Sequence, residues 1–236
     1  MAKRTDAIVV NSIGVRTHAV RHGIDSRKLT TITNAVEPAS PSSQSRGQLL
    51  DHLNLPPDTR LLGTAGPLAR TKNLKHMIWV ADIFKAIHEP VHILIMGDGL
   101  HRWRLERFAR QIEIEERVHF LGHRHDVLDI LPHLDVYLSA SQHEGCPNGL
   151  LEAMAAGVPA VVTNIPGHRD VVRHGESGFL VPVGSRADVA KHSKKLLEDA
   201  ELASRIGQAG QARVLENHRL ANVIEQYRAL YERNAH

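Results

Sequence analysis

The chain has 236 residues, 42% of them hydrophobic and 23% charged, and 29 lysines and arginines against 26 acidic residues leave a net charge of +3. That length and apolar content suffice for one comfortable domain or two small ones. The single cysteine, Cys146, excludes an internal disulfide and suits a reducing compartment, and no apolar run is long enough to span a bilayer.

In chain order, AIVV and LTTIT read as short strands flanking a helix near residues 12–23, and PASPSSQSRG then reads as a Pro/Ser-rich loop or linker. Past that boundary strands and helices alternate. They are LLGTAG, the helix NLKHMIWVADIFKAIH, VHILIMG, a helix over 100–112, RVHFLG, a short helix through Leu131, DVYLS, a helix over 150–156, PAVVT and GFLVPV. Such alternation implies right-handed crossovers and a Rossmann-like, doubly wound parallel sheet. From Arg186 onward the pattern is helical. The last helix carries Leu220, Val223, Ile224, Tyr227, Leu230 and Tyr231 at helical spacing, an apolar stripe that needs a partner surface.

Most of the chemistry is concentrated in SQHEGCPNGLLEAMAAGVPAVVT, where Glu144 and Glu152 stand eight positions apart. Gly145 and Pro147 allow a tight turn and LLEAMAA is built of helix formers, so Glu144 is expected in a loop at a helix entrance and Glu152 in the first helical turn. Both carboxylates then lie near free N–H groups at the positive helix end, and together they form an arrangement that grips hydroxyl groups. Other features read as structural. Gly97, Asp98 and Gly99 fit a turn at least as well as a phosphate loop. Cys146, with no dedicated base beyond His143, reads as a small residue lining the turn. Seventeen histidines make chance clusters, without cysteine or carboxylate ligands at metal spacing, so no metal is expected. Arg102, Arg104, Arg107 and Arg110 read as a solvated helix face, with an acidic lipid or nucleotide as the alternative. The opening AKRTDAIVV is too weakly apolar for a signal peptide, so a cytoplasmic protein, at most peripheral at a membrane, is expected.

HEGCPNGLLEAMAAGVPAVVT resembles the E-x7-E segment of the retaining, group-1 (family 4) glycosyltransferases of GT-B fold. The resemblance extends through GPLARTKNLKHMI, HILIMGDGLHRWRLE, RVHFLGHRHDVLDILPHLDVYLSAS and NIPGHRDVVRHGESGFLVP. It implies that residues 1–40 are the end of an N-terminal domain and 41–60 a linker. Residues 61–217 then form a nucleotide-sugar-binding domain, and 218–236 a helix crossing back. It further implies a nucleotide-sugar substrate without cofactor, and a glycan, lipid or small-molecule acceptor rather than nucleic acid. By the same resemblance Lys72, seconded by Arg70, neutralises the leaving diphosphate, and Glu152 holds the ribose hydroxyls. Glu144, the catalytic candidate, approaches the donor sugar, and the backbone of Gly145, Cys146, Pro147, Asn148, Gly149 and Leu150 meets sugar and phosphate. His123 and His125 stand where the family's loop contacts the nucleobase, and Asp170 stands where a glutamate is common. One departure bears on activity: an arginine normally follows the glycine matching Gly66, and this chain has Pro67, which has neither charge nor donor. An inactive or regulatory sugar-nucleotide-binding remnant, or one subunit of a split enzyme with an N-terminal-domain partner chain, are the alternative readings.

Overall fold

The computed structural model describes residues 5–234. The first four residues of the 1–40 segment, and with them the start of the weakly apolar opening, lie outside the described residues, as do the last two of 218–236. Strands β1 (Ile8–Val10) and β2 (Leu29–Thr31) pair in parallel around helix α1 (Ile13–Arg21). Six further strands form one parallel sheet: β3 (Arg60–Ala65), β4 (Val91–Met96), β5 (Val118–Gly122), β6 (Val136–Ser139), β7 (Ala160–Thr163) and β8 (Phe179–Val181), in the order β5-β4-β3-β6-β7-β8. The chain builds outward from β3 to β5, returns to the other flank of β3 at β6 and builds outward again. The topological switch therefore falls between β3 and β6, where open sheets of this kind bind ligands beyond the carboxyl ends of their strands.

Period-two alternation along these strands sends neighbouring side chains to opposite faces. Leu62, Ile93, Ile95, Val136 and Leu138 pack on one face with α3 (Lys75–Ala86), α4 (Arg102–Gln111) and α8 (Arg186–Glu198). Leu61, Leu94, Met96, Tyr137 and Val162 pack on the other with α6 (Asn148–Ala155) and Val214 of α9 (Ala200–Asn217). Both faces are covered by helices, as the sequence alternation implies.

Three elements differ from the sequence reading. The segment read as a linker contains helix α2 (Arg46–His52), with Leu49 and Leu50 buried against the sheet. Its start is a capping box: the Gln48 N–H donates to Ser45 Oγ at 3.2 Å, and the Ser45 N–H donates to Gln48 Oε1 at 2.8 Å. Arg46 locks it down, donating to Asp135 Oδ2 at 2.7 Å and to the Thr59 carbonyl at 2.9 Å. Helix α6 begins at Asn148 rather than Leu150, which puts Glu152 in its second turn instead of its first. The apolar stripe of α10 (Leu220–Asn234) splits: Val223 and Leu230 bury against Ile32, with Ala7, Val9 and Ala35 around them, while Ile224, Tyr227 and Tyr231 stay exposed. The β1–β2 unit thus supplies part of the surface the stripe needs.

Candidate functional site

Two loops flank the switch point. The loop after β3 starts at Gly66 and ends in a 3-10 turn, Arg70–Lys72, and the loop after β6 runs from Ala140 to Pro147. The Gln142 N–H donates to the Thr71 carbonyl at 2.8 Å, tying the loops together. Across this junction the Lys72 ammonium bonds Glu144 Oε1, which also accepts from Ser141 Oγ at 2.7 Å. The pair is largely enclosed, with side chains 22% and 13% exposed. On the far side the Glu144 loop lies against helix α7 (Pro166–Val171), where a Cβ on Gly167 would stand 2.5 Å from the Glu144 carbonyl oxygen.

Beside this pair opens a cleft of about 540 Å3. Its walls are Gly66–Pro67 after β3, Met96–Asp98 after β4, His123–His125 after β5, Val127 and Leu128 of α5 (Val127–Ile130), and Asn148, Gly149 and Glu152 of α6. Close backbone approach forms the floor. Gly97 has φ +145°, and a Cβ there would overlap the Gly66 carbonyl. The Gly66 N–H donates to the Met96 carbonyl at 2.9 Å and the Gly97 N–H to the Gly122 carbonyl at 2.8 Å. His123 and His125 meet edge to face, ring centroids 5.2 Å apart.

Glu152 stands on the cleft wall half-buried, and its carboxylate makes no hydrogen bond or ion pair among the described residues. Burial pushes its pKa up from the ordinary 4.5. A carboxylate held in this way costs free energy that a hydrogen-bonding ligand would offset. Helix α6 has no side-chain cap. Pro147 has no N–H, and the N–H groups of Leu150 and Leu151 both donate to its carbonyl at 3.1 Å, leaving those of Asn148 and Gly149 at the open end.

The expected site residues are thus divided. Lys72, Glu144, Pro147 and Gly149 surround one small enclosed space, and Asn148, Gly149 and Glu152 line the adjoining cleft. Leu150 is fully buried and its N–H is used within the helix, so it supports the helix rather than meeting a ligand. Cys146 is half-buried, and burial pushes its thiol pKa up, away from the thiolate a nucleophile needs. Gly145 faces Asn11, whose Oδ1 would lie 2.6 Å from an added Cβ. Arg70 lines a separate cleft with Lys75, His101 and Arg104, away from Glu152. Of the arginine cluster, Arg102 is a staple, bonding Asp98, Glu106 and the Phe120 carbonyl. Among the described residues no three His, Cys, Asp or Glu side chains converge as a metal-binding group, and no helix is long and apolar enough to cross a membrane.

Sequence reasoning missed several supports. Asn34 donates to the Cys146 carbonyl at 3.0 Å and to Asn148 Oδ1 at 2.6 Å, joining the segment after β2 to the site loop. Asp170 accepts from the Ile13 N–H at 3.0 Å, a contact at the start of α1. Buried Ser141 donates to Glu144, and buried His168 sits beside Ser139 and Thr163 next to it. Only Ser45-x-x-Gln48 and the asparagine in TNAVEP carried any local signal of such roles.

Packing at the helix entrance leaves no room for a side chain at Gly149, where a Cβ would stand 2.6 Å from the Ala65 carbonyl oxygen and 2.7 Å from the Tyr137 hydroxyl. Gly149→Ala is expected to lower unfolding free energy by about 1–3 kcal/mol in a urea titration, the usual range for overpacking.

Comparison with known proteins follows the same lines. Superposed on the Anabaena protein Alr3699/HepE, solved in complex with UDP and glucose, the chain gives a TM-score of 0.89 at 21% identity, covering 96% of this chain and 63% of that one. The pneumococcal O-GlcNAc transferase GtfA, solved with UDP and GlcNAc, gives 0.80 at 20% identity over 100% of this chain and 46% of that one. These likenesses place the six-stranded sheet among GT-B glycosyltransferase folds. In sequence, the chain is 32% identical over 169 residues to N-acetyl-alpha-D-glucosaminyl L-malate synthase of Bacillus anthracis, covering 70% of this chain and 44% of that protein. It is 27% identical over 208 residues to the lipopolysaccharide core biosynthesis glycosyltransferase LpsE of Rhizobium meliloti (strain 1021), covering 88% of this chain and 58% of that protein. The chain therefore spans about half the length of these curated relatives. A family model described as Glycosyl transferases group 1 matches residues 46–213, and the chain belongs to that family.

Proposed function

We propose that this chain is the donor-binding half of a retaining glycosyltransferase that moves a sugar from a nucleoside diphosphate to a separate acceptor. The observation that carries this reading is the unpartnered, half-buried Glu152 carboxylate on the cleft wall, next to the Lys72–Glu144 pair. A nucleobase fits between the loops after β3 and β5, along His123 and His125. Glu152 then accepts from the ribose diol, since one carboxylate takes two hydroxyl donors. That order brings the diphosphate towards Lys72 and the free N–H groups of Asn148 and Gly149, where the helix end favours anions. The sugar comes last, against Glu144, Gly145, Cys146 and Pro147. As the anomeric bond breaks, the electron pair leaves with the diphosphate, whose charge Lys72 neutralises, and Glu144 faces the positive charge developing on the sugar.

UDP occurs in the solved neighbours named above, which makes UDP sugars the first donors to test. Calorimetry of the full chain with UDP, GDP and ADP sugars is expected to show binding of at least one. Binding of none overturns the proposal.

Pro67 favours a second reading, in which the site binds a donor without turning it over. The residue lines the cleft where a cation is expected. Pro67→Arg is expected to raise affinity for UDP about tenfold while leaving uridine unchanged, as one added charge-assisted bond to phosphate does. An equal effect on both ligands would show that position 67 does not face the diphosphate.

A further inference from the structure

The polar residues beneath Glu144 form a connected set that converges on one imidazole. His168, on α7, is completely buried. Its Nδ1 lies 2.7 Å from the Thr163 carbonyl, which can only accept, so Nδ1 carries the proton and Nε2 is an acceptor. Ser139 Oγ stands 3.2 Å from Nε2 and donates to it. Desolvation holds the imidazole down, to about 4, which keeps this neutral tautomer at ordinary pH. Ser139 and Thr163 are the last residues of β6 and β7, so one ring clamps the ends of two neighbouring strands.

Of the two clamped residues, Thr163 bonds Ser141, while Ser139, whose one hydroxyl proton goes to His168, only packs against it. The Thr163 hydroxyl donates to the Ser141 carbonyl at 2.5 Å, and Ser139 Oγ lies 3.2 Å from Ser141 Oγ. Ser141 gives its one hydroxyl proton to Glu144 Oε1. Lys72 bonds that same oxygen, which leaves Oε2 for a ligand hydroxyl. The space between Lys72, Ser139, Ser141 and Glu144 is only about 20 Å3, so bulk water does not compete for these bonds.

We propose that His168 is a positioning residue, fixing the Glu144 carboxylate for the donor sugar through Ser139, Thr163 and Ser141. The inference rests on the reading of Glu144 given above.

Titration of the full chain with UDP and with UDP-glucose separates a positioning role from a structural one. Ser139→Ala and His168→Leu are expected to leave UDP affinity within about twofold and to lower UDP-glucose affinity about tenfold, the loss of one charge-assisted hydrogen bond. His168→Gln, which keeps one donor and one acceptor, is expected to return to within about threefold of the wild type. Equal losses for both ligands, or none, overturn the proposal. Thermal unfolding checks each variant, and Ser139→Ala carries the test if His168→Leu does not fold. A wild type that binds neither ligand counts against the donor-site reading alone. The positioning claim is then judged by the crystal structure of Ser139→Ala, where a Glu144 carboxylate turned away from Lys72 supports it and an unmoved one overturns it.

Discussion

Lys72→Ala is expected to weaken UDP binding by about 30- to 1000-fold, since removing one partner of an enclosed charged contact costs about 2–4 kcal/mol. Among the described residues the lysine is the cation beside the Glu144 carboxylate in the enclosed space between the loops after β3 and β6, Pro67 standing where the family resemblance implies an arginine and Arg70 lining a different cleft. Its loss acts on the free protein as well. Glu144, only 13% exposed, would keep Ser141 as its hydrogen-bond partner but lose its counter-charge. That cost is about 1–2 kcal/mol of stability, discounted from a fully buried pair because Lys72 is 22% exposed. The double variant Lys72→Ala/Glu144→Gln separates the two effects: it is expected to recover stability in a denaturant titration and to recover no UDP affinity. Recovery of UDP affinity would mean that Lys72 serves mainly to neutralise Glu144.

Glu152→Ala is expected to lower UDP affinity about 100-fold, from two charge-assisted hydrogen bonds of about 1.5 kcal/mol each. Removing hydroxyls from the ligand provides the control. UDP lacking its ribose hydroxyls should lose affinity for the wild type and lose little further for Glu152→Ala; additive losses would place the diol elsewhere. The pH dependence has a definite sign. Ligand hydroxyls need the ionised carboxylate, and burial raises the pKa above 4.5, so affinity falls as pH drops, from an onset higher than for an exposed glutamate. For the unliganded protein the sign reverses. With its native pKa above the unfolded one, Glu152 binds protons more readily in the folded state, so its contribution to stability grows as pH falls through that window.

The sheet was legible because its strands are short apolar runs, five of the six with Gly or Pro directly at an end, and its crossovers read as helices. Helix α2 was hidden by its setting, since PASPSSQSRG suggests a loop while the signals inside it, Ser45 with Gln48 and the pair Leu49–Leu50, are short. The start of α6 was misplaced because Asn148 and Gly149 read as turn residues. Gly149 is helical there because the helix end presses on the Ala65 carbonyl and the Tyr137 hydroxyl, a tertiary constraint with no local trace. For the site, the acidic pair and Lys72 are readable as a motif, whereas the separate cleft that Arg70 lines with Lys75 of α3 and Arg104 of α4 exists only once those helices come together. His168 was invisible for a related reason. Its partners, Ser139 and Thr163, end strands 20 or more residues apart in sequence and meet only once the sheet forms.

The crossing of the chain at Val36 has a mechanical consequence. The Val36 N–H donates to the His218 carbonyl at 2.8 Å, and the Leu220 N–H donates back to the Val36 carbonyl at 3.2 Å. The outgoing and returning segments are therefore bolted side by side between the six-stranded sheet and the unit made of β1, α1, β2 and α10. The same unit is held again at α1, where the Ile13 N–H donates to Asp170 Oδ2 at 3.0 Å and Gly14 packs on Pro166 of α7. Asn34, two residues before Val36, holds the Cys146 carbonyl and Asn148. The placement of the β1–α1–β2–α10 unit and the shape of the loop beside Glu144 are therefore tied to each other through Asn34.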